Sequence, residues 1–123
     1  MVLVDTSVWV SHFRETIPVF GVLLEREDVL MHPLVVGELA CGNLRHRSEV
    51  LDRLGRLPQA IPASDAEALL FIDAHGLMGT GVGYQDFHLL ASAKISGAAF
   101  WTHDSALARA ARRLHLEYLP GKK

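Results

Sequence analysis

The chain holds a single cysteine, Cys41, so neither an intrachain disulfide nor a four-thiolate zinc site can form within it. That suits a reducing cytosol, and Cys41 itself, inside the apolar stretch from Pro33 to Gly42, reads as a buried structural thiol. Long hydrophobic runs are missing too: none approaches the roughly 20 residues of a membrane span. The opening Met1-Val2-Leu3-Val4-Asp5 is too short and too soon acidic for a signal peptide, so a soluble cytoplasmic protein is expected. Positive charge is not in excess, with 12 Lys and Arg against 14 Asp and Glu. A net charge of −2 counts against gripping long nucleic acid by electrostatics alone, unless clustered carboxylates hold cations that reverse the local field. The basic groups are uneven, with Arg45, His46 and Arg47 together, then Arg109, Arg112 and Arg113, then Lys122 and Lys123. Such clusters are ordinarily solvated faces or helix ends.

Other absences narrow the chemistry. The 7 histidines include no pair at the i, i+4 spacing of a zinc protease, and His88 and His103 are read as surface or packing groups able to reach RNA phosphate. Gly79-Thr80-Gly81-Val82-Gly83 follows a helical pattern rather than a strand and has no Lys-Ser/Thr after it, so it is a connection and not a phosphate loop. A triad built on Ser7 has only residue type to support it. Repeats, linkers and low-complexity segments are absent, and the 123 residues are expected to form one domain, 1–123.

Strand and helix patterns alternate along the chain. Strands are expected at Val2–Val4, Val29–Met31, weakly at Ala60–Ile61, at Ala98–Thr102 and at Leu116–Tyr118. Helices follow Asp5-Thr6-Ser7, open at Pro33, span Ser48 to Leu57, start at the capping box Ser64-Asp65-Ala66-Glu67, and cover Gln85–Ile95 and Ser105–Leu114. Strands separated by helices predict a three-layer α/β/α sandwich around a central parallel sheet. Trp9 and Trp101 sit in apolar runs and are expected in packing. Val19–Leu24 and Val50–Leu57 carry more apolar residues than two small helices bury, which makes them candidates for a dimer contact or a partner groove as well as for core.

Four carboxylates look out of place. Asp5 and Asp104 follow apolar strands directly, at the carboxyl ends where open parallel sheets bind ligands. Asp86 opens a helix whose Leu89, Leu90 and Ala93 face inward, and Glu38 interrupts the apolar helix Leu34-Val35-Val36-Gly37-Glu38-Leu39-Ala40. Each aspartate taken alone reads as a helix N-cap. Glu38 does not: mid-helix with apolar neighbours on both sides, it is expected to be buried, where it must protonate or meet a cation. Unit charges about 4 Å apart repel by roughly 4 kcal/mol at an effective dielectric near 20, so convergence of all four would demand a counter-cation. An all-oxygen site selects Mg²⁺ or Mn²⁺, ions suited to phosphodiester hydrolysis.

Four segments carry a resemblance. They are Val4-Asp5-Thr6-Ser7-Val8-Trp9, then Val36-Gly37-Glu38-Leu39-Ala40-Cys41-Gly42, then Gly81-Val82-Gly83-Tyr84-Gln85-Asp86 with Leu89 to Ala93, and Phe100-Trp101-Thr102-His103-Asp104 with Leu107-Ala108. In this order and spacing the chain resembles the PIN-domain ribonucleases, and within them the VapC-type toxins of bacterial toxin–antitoxin pairs. The resemblance implies a metal site of Asp5, Glu38, Asp86 and Asp104, with the Ser7 hydroxyl nearby and Thr102 supporting the strand end. It also implies an RNA substrate, a VapB-like antitoxin partner and a homodimer. One departure is visible: Ser105, Ala106 and Leu107 follow Asp104 where many relatives add an acidic or aromatic residue, which leaves four candidate ligands and argues against a second metal before substrate binds.

The expected activity is a Mg²⁺- or Mn²⁺-dependent endoribonuclease, with Asp5 and Asp86 the main ligands and Glu38 orienting the attacking water. The competing readings are a non-catalytic PIN-like module that binds protein or RNA, and a metal-dependent DNA nuclease or phosphatase, which fold alone does not separate.

Overall fold

In the computed structural model, which describes residues 1–121, three short strands form the sheet: β1 (Val2–Val4), β2 (Val29–Leu30) and β3 (Ala99–Trp101). The helices are α1 (Thr6–Arg14), α2 (Pro18–Glu25), α3 (Pro33–Ala40), α4 (Arg47–Gly55), α5 (Asp65–His75), α6 (Tyr84–Ile95) and α7 (Ser105–Arg113). Lys122 and Lys123, of the last basic cluster, lie outside the described residues.

The strand order is β2-β1-β3 and every pairing is parallel, with Leu3 opposite both Leu30 and Phe100. Parallel neighbours require crossovers, which the helices supply, and a central strand covered on both faces must be apolar throughout. Accordingly Val2, Leu3 and Val4 are all buried. Around them lies one contiguous core that includes Phe20, Met31, Val35, Leu90, Phe100 and Leu107. These features are those of the α/β sandwich expected from the alternating pattern.

The two outer strands shrink to single parallel bridges. Gln59 pairs with Met31, and Glu117 pairs with Phe100, flanked by Phe100 N–H to Leu116 carbonyl at 2.6 Å and Tyr118 N–H to Phe100 carbonyl at 2.8 Å. Pro58 and Pro62 explain the first, because neither can donate to a ladder.

Local signals account for the helix starts. Pro18 and Pro33 each occupy the first turn, where a missing N–H costs nothing. Ser64 and Glu67 form a reciprocal capping box, with Glu67 N–H on Ser64 Oγ at 3.1 Å and Ser64 N–H on Glu67 Oε1 at 2.9 Å. Gly76 ends α5 in the left-handed region at φ 60°, which glycine adopts without Cβ strain.

Candidate metal and active site

Asp5 stands where β1 stops. Its N–H still bonds the Trp101 carbonyl at 2.9 Å, so the backbone leaves the sheet only after this residue. Although Asp5 occupies the N-cap position of α1, its carboxylate makes no cap bond. Instead Oδ2 accepts from Ser7 Oγ at 2.8 Å and from Thr102 Oγ1 at 2.7 Å. The two hydroxyl oxygens lie 3.3 Å apart, and both hydrogens are committed to Oδ2. In turn Ser7 Oγ accepts from the His103 N–H at 3.0 Å, and Thr102 Oγ1 accepts from the Asp104 N–H at 3.0 Å. A buried carboxylate is thereby fixed by hydrogen bonds from the first turn of α1 and from the end of β3, which offsets the cost of removing it from water.

Asp104 is a true cap: its Oδ1 accepts from the Leu107 N–H at 2.9 Å. Asp86 is not. It lies in the first turn of α6, whose N-cap is Gly83, and the inward stripe below it is Phe87, Leu89, Leu90 and Ala93. Burial, then the charges of Asp5, Glu38 and Asp104, push the Asp86 carboxyl up to about 6. That shift places all four carboxylates in one electrostatic neighbourhood, and none of them pairs with Lys, Arg or His within the described residues. Among those residues no three His, Cys, Asp or Glu side chains form a group that could hold a metal ion by themselves. The four acids share a field without closing into a cage.

Two expectations of burial fail. Glu38 is exposed, because Val35 and Leu39, four residues apart, form the inward stripe of the short helix α3 and turn Gly37 and Glu38 outward. Cys41 is also exposed, at the C-cap of α3 where the apolar stripe has ended. The costly buried acids are therefore Asp5 and, in part, Asp86. Trp9 and Trp101 are buried, both against Phe20, at ring-centroid distances of 4.7 and 5.6 Å.

Other polar groupings had no clear signature in the linear sequence. On α6, Tyr84 Oη donates to Asp65 Oδ1 at 2.8 Å, and His88 Nε2 lies 2.9 Å from the same oxygen, so α5 and α6 are clasped beside Asp86. His32 caps α3 by accepting the Leu34 N–H at Nδ1, and its buried Nε2 has no partner among the described residues. Burial and the nearby His88 hold its imidazole below the usual range. Ser11 meets His103 Nδ1 at 3.2 Å. Only Ser11 could have been anticipated, from its i, i+4 spacing to Ser7.

Beside Glu38, α1, α3 and α4 enclose a cleft of about 530 Å³ that Glu38 shares with Phe13, Leu39, Leu44 and Val50, flanked by Arg14 and Arg45. Val50 belongs to one of the two segments whose apolar content exceeded internal need, and Val22 of the other is exposed.

Comparison with known proteins bears on this arrangement. Residues 2–113 match the model of the PIN domain family. Ribonuclease VapC32 of Mycobacterium tuberculosis, in strains CDC 1551 / Oshkosh and ATCC 25618 / H37Rv, is 41% identical over 108 residues, covering 87% of each chain. Among solved structures, PAE2754 from Pyrobaculum aerophilum superposes with a TM-score of 0.58 at 15% identity, over 94% of this chain and 88% of its own. FitAcB from Neisseria gonorrhoeae gives 0.56 at 22% identity, over 91% and 94%. At those identities the structural likeness speaks for the fold.

Proposed function

Since the chain belongs to the PIN-domain family, among its VapC-type members, we propose that it is a metal-dependent endoribonuclease acting as the toxin of a toxin–antitoxin pair. Its metal-binding and catalytic set is Asp5, Glu38, Asp86 and Asp104. The observation that carries this reading is the Asp86 carboxyl, raised to about 6 by burial and by three neighbouring acids. A fold that keeps four uncompensated carboxylates in one field is destabilised by their repulsion unless a cation joins them.

The donor set fits such an ion. It is all oxygen, which selects Mg²⁺ or Mn²⁺ over zinc. Among the described residues no three His, Cys, Asp or Glu side chains gather tightly enough to hold a bare ion, and Mg²⁺ characteristically keeps several waters while binding through one or two carboxylates. Asp5 engages Ser7 and Thr102 through Oδ2, which leaves Oδ1 for ligation, and Asp104 likewise uses Oδ1 for its cap and keeps Oδ2. Asp5 and Asp86 are assigned as the main ligands. A divalent ion held there supplies charge neutralisation for the phosphate and a water of lowered pKa. Glu38, exposed on α3 at the edge of the cleft, would orient the attacking water. Ser7 and Thr102 hold the Asp5 carboxylate in place through Oδ2.

The apolar cleft with Arg14 and Arg45 beside it suits an antitoxin segment of apolar face and acidic flank. Leu69, Leu70 and Ile95, exposed on α5 and α6, favour a homodimer.

The test is cleavage of total cellular RNA, with mapped 5′ ends, by the purified protein in Mg²⁺, Mn²⁺ or EDTA, beside Asp86→Asn. Discrete metal-dependent cuts that fall at least about a hundredfold in the variant are expected. The observation favouring a second reading, a binding module without catalysis, is the lack of a three-ligand group among the described residues. Equal patterns from wild type and variant, or no cutting with any metal, would select it.

A further inference from the structure

Ser11 and His103 lie outside the carboxylate set, yet both are tied to it. Ser11 stands one helical turn beyond Ser7 on α1, and its hydroxyl donates to the Ser7 carbonyl at 3.1 Å. The same oxygen meets His103 Nδ1 at 3.2 Å. A serine hydroxyl has one hydrogen. With that hydrogen on the Ser7 carbonyl, Ser11 Oγ is the acceptor and Nδ1 carries the ring proton. The His103 backbone is held as well, its N–H donating to Ser7 Oγ at 3.0 Å. Two serines on one face of α1 thus fix both the backbone and the ring of a residue whose side chain is exposed and whose neighbour is Asp104.

Holding an exposed imidazole this way adds little to stability, since its hydrogen bonds compete with water. It does preorganise the ring for a ligand. Because Nδ1 is engaged, Nε2 is the hydrogen-bonding atom left over, and it has no partner among the described residues.

We propose that His103 reads ribose: its Nε2 pairs with a 2′-hydroxyl of RNA bound at the carboxylates, and Ser11 is the positioning residue that sets its tautomer and aim. The proposal rests on the ribonuclease reading and adds how RNA is told from DNA. A 2′-hydroxyl both donates and accepts, so Nε2 pairs with it in either protonation state, whereas a phosphate oxygen only accepts. Phosphate is drawn to the cation-binding acids. His103 is tied through Ser7 to Asp5 and precedes Asp104, so we place its ring against the sugar beside that phosphate.

The experiment measures KM and kcat for cleavage of a labelled single-stranded RNA of mixed sequence in Mn²⁺, and Ki for the same-sequence DNA as competitor. Asparagine at 103 places an amide near the Nδ1 position and keeps the Ser11 contact, and glutamine places one near Nε2. His103→Asn is expected to raise KM for RNA by about two- to tenfold while Ki for DNA holds. His103→Gln recovers most of that loss, and Ser11→Ala gives a smaller change in the same direction. The proposal is overturned if His103→Asn leaves KM unchanged, raises KM and the DNA Ki equally, or weakens Mn²⁺ binding by calorimetry. Failure of the wild type to cut any RNA would instead remove the ribonuclease reading and this one with it.

Discussion

At the residue scale, three aspartates near helix starts do three different things. Asp104 caps α7, Asp5 is bound by two hydroxyls, and Asp86 has neither arrangement. Asparagine caps about as well as aspartate but ligates a cation poorly. Asp104→Asn should therefore keep its melting temperature and lose cleavage, whereas Asp104→Ala loses cleavage and about 1 kcal/mol of stability in urea unfolding. An active Asp104→Asn enzyme would leave only the cap. The Asp86 carboxyl makes a pH prediction. Its folded value of about 6 exceeds its ordinary 3.8, so between those values the native state binds more protons than the unfolded chain. Metal-free stability from this group is then lost as pH rises through that window. In EDTA, Asp86→Asn should gain on the wild type in melting temperature between pH 4 and about 6, then hold its advantage. Mn²⁺ affinity of the wild type should fall as pH drops below about 6, when Asp86 protonates.

At the scale of elements, the clearest signals were those in which a few adjacent residues determine the backbone. The Ser64–Glu67 box, the proline opening α3, and the apolar triplet of β1 all act locally. Ser64→Ala should cost about 1 kcal/mol by removing the side-chain acceptor of the Glu67 N–H, read as a shifted denaturation midpoint with unchanged slope. No change in midpoint would mean that α5 is held by packing alone. The sheet edges were less legible. Residues 60–61 and 116–118 have strand-like side chains, but pairing length depends on how a distant partner curves, and each edge contributes a single bridge. Burial of Glu38 was misjudged for a related reason: apolar neighbours imply burial only once the inward face of α3 is known, and Val35 and Leu39 define it.

For the whole molecule, the proposed metal site would make folding and cation binding one equilibrium. An ion that binds only the folded state stabilises by about 2.7 kcal/mol at a hundred times its Kd. Mg²⁺ should raise the melting temperature of the wild type at constant ionic strength, with Asp86→Asn responding far less. Equal shifts in both proteins would indicate nonspecific screening. Against a net charge of −2, this local concentration of negative charge is a property of the fold and not of the composition.

The sequence alone determined the alternation of elements, the apolar central strand, the identity of the four acids and their order along the chain, because periodicity, caps and strand-end positions are properties of neighbouring residues. The tertiary structure decided which acids are buried, which one is a cap, and that Ser7 and Thr102 converge on one oxygen of Asp5 from positions 95 residues apart. Those depend on parallel strands ending side by side, and on charges felt through space at Asp86, which no local pattern encodes.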